Sequence, residues 1–80
     1  MDQIGKVIHY YDKIGVAIIE LEKGSLKVGQ KIKFKQGEEE FEQEIASLEV
    51  DHKPVDGVKT GDAFGLKIDQ PVKEGVLVLA

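Results

Sequence analysis

The chain has 80 residues, with 11 lysines against 15 acidic side chains for a net charge of −4, and it contains no Arg, Cys, Asn or Trp. That length suits one domain, residues 1–80, which hides only about 60–65% of its unfolded surface and leaves little room for a large enclosed active site. Without Cys there is no disulfide framework, thiolate zinc site or thiol nucleophile, and an acidic chain without guanidinium groups is poorly suited to holding nucleic acid by neutralising phosphates.

Nine glycines punctuate short runs rich in Val, Ile, Leu and Phe, the signature of strands joined by turns. The first two predicted strands are Gln3 to Tyr11 and Gly15 to Leu21, separated by the hairpin-sized gap Asp12-Lys13-Ile14. Glu22 to Gln30 follows as a crossover connection. Lys31 to Lys35 then alternates strictly. After Gln36-Gly37-Glu38-Glu39, so does Glu40 to Ile45.

Closing that loop as a hairpin sets Lys35 against Glu40, Lys33 against Glu42 and Lys31 against Glu44, with Ile32, Phe34, Phe41 and Ile45 facing the core. Each such opposite-charge pair contributes roughly 0.2–1 kcal/mol, and a slip of one residue would exchange buried and exposed faces. The acidic run Glu38 to Glu44 therefore reads as a solvated strand face matched to lysines. Apolar parity changes at Leu48 and Val50, which predicts a bulge near Ala46-Ser47. Asp51 to Thr60 is polar, with Val55 and Val58 as anchors. Asp62 to Ile68 is a further strand, Asp69-Gln70-Pro71 a turn, and Val76 to Leu79 a closing strand apolar on both faces. The sum is an all-β fold, a small closed antiparallel β-barrel of six or seven short strands.

Catalytic chemistry finds few footholds. No G-x-x-x-x-G-K-[ST] loop is present, and without Asn there is no guanine-reading N-K-x-D motif, so the chain by itself binds no GTP. His9 and His52 are the only imidazoles, and neither has a second His or a Cys at metal-ligand spacing. Asp51-His52-Lys53 is the one place where a carboxylate adjoins a His, but adjacent strand residues point to opposite faces, and the sequence names neither an orienting partner nor a nucleophile for His52. The expectation is no enzyme, no catalytic residue, no metal and no cofactor. Tyr10-Tyr11 ends the first strand with one ring directed to the core and one available for stacking. No run approaches the 18 or more apolar residues of a membrane span, and Met1-Asp2-Gln3 does not begin a signal peptide, which predicts a soluble, cytoplasmic protein.

Ile4-Gly5-Lys6-Val7, Gly15-Val16-Ala17, Leu26 to Ile32, Ser47 to Val55, Gly61 to Leu66 and Val72 to Gly75 together resemble domain II, the β-barrel, of the elongation factor Tu class of translational GTPases. The chain looks most like the small proteins described as translation elongation factor-like, which carry this barrel without a GTPase domain. That resemblance implies a binding or adaptor module whose partner is RNA, at the tRNA 3′ end, or a ribosome- or translation-associated protein. It implies a binding site at Glu49, Asp51 and His52: Glu49 matches the family's Glu, His52 stands where Arg is common, and Ala63 replaces its Asn. In the same barrel Gly29 ends the crossover, while Gly61 and Gly65 bracket a turn and a close backbone approach. A comparable set of strands occurs at the C-terminus of U32 family peptidases. This second resemblance implies a structural or protein-interaction barrel, an accessory domain of a larger enzyme.

Overall fold

β1 (Gln3–Tyr11) and β2 (Val16–Leu21) form an antiparallel hairpin in the computed structural model, which describes residues 2–80. Gly15 makes the turn, at φ 69°, and its N–H donates to the Tyr11 carbonyl at 2.9 Å. The ladder shifts between Val7 and His9, a bulge that leaves Ile8 at the surface and turns Tyr10 toward the core.

The crossover from Glu22 to Gln30 contains a short strand, β3 (Ser25–Lys27), that its composition did not announce. β4 (Lys31–Gln36) and β5 (Glu39–Glu44) form the expected hairpin in the expected register, with Lys31, Lys33 and Lys35 opposite Glu44, Glu42 and Glu40. Its loop is tighter than predicted. Gln36 pairs with Glu39, leaving Gly37 and Glu38 as the connection, with Gly37 at φ 62°. Of the three charge pairs, the half-buried Lys33 alone makes ion contacts among the described residues, 3.8 Å to Glu40 and 4.0 Å to Glu42.

After Ile45 the chain leaves this hairpin. The change of parity is a break between strands rather than a bulge: β6 (Leu48–Val50) pairs with β7 (Lys53–Val55) and with β9 (Ala63–Lys67), toward the other end of the strand order from β4. Between them β8 (Gly57–Lys59) pairs with β3, bringing Leu26 opposite Val58 and burying both. Val55 packs on the same core from β7, so both valines anchor the polar segment as expected. β10 (Leu77–Leu79) inserts between β1 and β4.

The result is an eight-stranded antiparallel sheet in the order β5-β4-β10-β1-β2-β9-β6-β7, with β3-β8 as a separate ribbon. It is all-β, but it is not the closed barrel of six or seven strands that the sequence suggested. Among the described residues β5 and β7 do not pair with each other. The physical reasons lie at the two edges. Pro54 in β7 has no N–H to offer a ladder. On β5 the buried Gln43 side chain takes the place of a strand neighbour, donating to the Lys67 carbonyl at 3.0 Å and accepting from the Asp69 N–H at 2.9 Å.

One cluster fills the interior, with Phe34, Phe64, Ile19, Leu21, Ile32, Ile45, Leu48 and Leu66 among its fully buried members. Each such side chain contributes about 1.5–3 kcal/mol on leaving water. Phe41 is half-buried and stacks on Phe34 at 5.0 Å. Among the described residues no helix is long and apolar enough to cross a membrane, and no group of three His, Cys, Asp or Glu side chains is arranged to hold a metal ion.

Candidate binding groove

Residues that pair across an antiparallel sheet share a face. His9 pairs with Ile18, Ile18 with Gly65, Gly65 with Glu49 and Glu49 with Pro54, so these five form one row across the outer face of β1, β2, β9, β6 and β7. The neighbouring rows are Tyr11, Val16 and Lys67 on one side and Glu20 with Ala63 on the other. Because Gly65 carries no side chain, the middle of this face is a groove of about 370 Å³.

Val16 and Ile18 give the groove an aliphatic flank, and Ile14 and Tyr11 extend that flank at the β1–β2 turn. Ile14 is 62% exposed and Tyr11 48% exposed. The Tyr11 ring meets the His9 imidazole edge-on, with centroids 4.4 Å apart, which holds it upright beside the groove. Tyr10 packs on the core instead, so the two tyrosines divide their roles as adjacent strand residues must.

The opposite rim carries all three residues singled out in the sequence. Glu49, Asp51 and His52 line the groove together. Glu49 comes from β6. Asp51 and His52 are the two central residues of the β6–β7 hairpin, and both have left-handed backbones, at φ 52° and φ 64°. Positive φ at both positions is the requirement of a type I′ turn, which Asn-Gly satisfies most easily; here Asp and His occupy it. Adjacent residues in such a tight turn swing onto the same rim, which adjacency on a strand would have prevented. Among the described residues neither Glu49 nor Asp51 is in an ion pair. Ala63 also lines the groove.

Tyr11 is one of the two tyrosines noted for stacking, whereas Ile14, Val16, Ile18, Phe64 and Gly65 were not recognised as part of a site. Gly65 offered the one signal, a glycine at an outward position in the middle of a strand. Its role differs from the close backbone approach expected of it, because side chains rather than backbone surround the space above it. A second depression, between the β4–β5 turn and residues 73–77, is larger at about 490 Å³, but two of its lining residues are glycines and only Lys35, Lys73 and Glu74 bring charge to it.

No family model matches the chain. In sequence it is 36% identical over 75 residues, 91% of its length, to an uncharacterized protease of Methanocaldococcus jannaschii, and spans 18% of that protein. In structure it superposes on the C-terminal domain of a Geobacillus thermoleovorans protein assigned to the U32 peptidases, with a TM-score of 0.92 and 18% identity over 100% of both chains. The fold is that of this U32 peptidase C-terminal domain. A second crystal structure of the same domain gives a TM-score of 0.89 at 18% identity, over 98% of this chain and 90% of that one.

These matches overturn the elongation-factor resemblance and, with it, the assignment to translation: the relatives in sequence and fold are a protease and a peptidase domain, not an elongation factor. Many of the residues that carried the resemblance are scaffold. Gly15, Gly29, Gly61 and Gly75 have positive φ, and Ile4, Val7, Leu26, Ile32, Phe64 and Leu66 are buried. Such positions are set by strand and turn geometry, so they report the architecture and not a ligand.

Proposed function

We propose that the chain is a non-catalytic accessory domain of a U32-type peptidase protein, acting as a binding module through the groove over Gly65. The observation that carries this reading is the 36% identity to a stretch making up only 18% of a protease. The match of both whole chains to a U32 peptidase C-terminal domain supports it. The chemistry of the groove supports the absence of catalysis: the Tyr11 phenol is the one hydroxyl among its lining residues, so His52 has no activated Ser or Thr to serve there. A protein partner fits this surface better than RNA, because Glu49 and Asp51 repel phosphate. The lack of Cys supports a reducing, cytoplasmic setting.

The test is a domain exchange. The isolated chain is expected to release no fragments from fluorescein-labelled casein. Placed in the M. jannaschii protease in lieu of the matching stretch, it is expected to restore whatever casein hydrolysis and solubility are lost when that stretch is deleted. Hydrolysis by the isolated chain, or deletion without consequence for the protease, overturns the proposal.

A further inference from the structure

Gly65 is glycine for a reason other than backbone conformation. It does not have positive φ, and a Cβ built on it would stand 3.5 Å from Val16 Cγ1, 3.6 Å from Ile18 Cδ1 and 3.9 Å from Glu49 Cβ, all ordinary contact distances. A side chain is tolerated by the strand and would add packing to it. What its absence provides is the open trough between Ile18 and Glu49.

We propose that this trough binds an extended polypeptide segment in which a Lys or Arg side chain is flanked by aliphatic residues. The inference names the ligand class of the groove and rests on its geometry, whether or not the domain serves a peptidase. One flank is aliphatic, from Val16 and Ile18, and ends in the exposed Ile14. The other ends in the carboxylates of Glu49 and Asp51, which have no ion-pair partner among the described residues. Lys and Arg have this same division, an apolar stem and a cationic head. Laid along Ile18 over Gly65, the stem covers apolar surface while the head reaches the two carboxylates, where charge-assisted hydrogen bonds are strongest. The flanking aliphatic residues of the ligand rest on Ile14 and Val16. The chain's net charge of −4 draws in such a ligand and disfavours a phosphate-bearing one.

The experiment titrates the ¹⁵N-labelled chain with an acetylated, amidated Gly-Leu-Lys-Leu-Gly peptide, its counterpart with Glu in place of Lys, and an RNA oligonucleotide ending in CCA. Saturable shifts at Ile18, Glu49 and Gly65 are expected with the Lys peptide alone. Affinity is expected to fall about tenfold or more in the double variant Glu49→Gln, Asp51→Asn, and with added salt. Gly65→Val is expected to retain a dispersed spectrum and lose binding; Gly65→Ala, the smaller change, is expected to weaken it. The proposal is overturned by an absence of saturable shifts at these residues with the Lys peptide, by equal binding of the Glu peptide, by RNA binding at the same residues, or by a folded Gly65→Val that binds undiminished. These outcomes are separate from those of the domain exchange, which reads hydrolysis and solubility and not peptide affinity.

Discussion

The Gln43 side-chain carbonyl accepts the backbone N–H of Asp69 at 2.9 Å, and the same amide donates to the Lys67 carbonyl at 3.0 Å. A buried polar side chain on β5 thus ties that edge of the sheet to the end of β9 and the residues just after it. Gln43→Ala strands both backbone groups, and leaving a buried group unpaired costs about 1–3 kcal/mol. Urea denaturation is expected to show that loss as a lower midpoint with unchanged slope.

Gly5 and Gly65 are expected to respond oppositely to alanine. A Cβ at Gly5 would lie 2.5 Å from the Glu20 carbonyl oxygen, and backbone on both sides must move to admit it. Gly5→Ala is expected to destabilise by at least about 1–3 kcal/mol, the range of overpacked cores. Gly65→Ala meets no such contact and is expected to stay within about 0.5 kcal/mol of the parent chain. Thermal melts of the two variants decide the contrast.

The hairpin tip carries a conformational burden. Left-handed φ at a residue other than glycine costs about 1–2 kcal/mol, less for Asp, which tolerates this region better. Replacing Asp51-His52 by Asn-Gly is expected to stabilise the chain by about 1 kcal/mol while removing two groups from the groove rim. A raised denaturation midpoint together with weakened peptide binding would mark the native pair as kept for its side chains.

Lys33 lies between Glu40 and Glu42, whereas Lys31 and Lys35 only share their register. With partly exposed partners, Lys33→Ala is expected to lose no more than about 1 kcal/mol. That loss should shrink at high salt. Lys31→Ala and Lys35→Ala are expected to show a smaller salt dependence in the same denaturation series.

Much of the fold was legible where periodicity was strong. The hairpin of β4 and β5 could be read to the residue because alternation and charge both specify its register. β3, β7 and β8 were not legible, since three residues with a single inward apolar side chain, such as Leu26 or Val58, carry no period. The open sheet was hidden for a related reason: the inward parity of Gln43 in β5 looked like routine alternation, and its hydrogen bonds reach residues far along the chain. For the groove, Asp51-His52 is marked locally as a carboxylate beside a His, but Glu49 was reached only through the elongation-factor resemblance that the comparisons overturn. Ile18 and Gly65 meet only through strand pairing, which no local pattern encodes.

β10 is the last strand in chain order, yet it occupies the interior of the sheet, joining β4 to β1. As the chain emerges in synthesis, the β4–β5 hairpin and the strands from β1 onward can form separately, but the two halves have no shared ladder until Leu77, Val78 and Leu79 are available. Completion of the sheet therefore waits for β10. Such dependence on distant pairing slows folding and gives it an all-or-none character. Loss of those three residues would divide the sheet in two rather than shorten one edge.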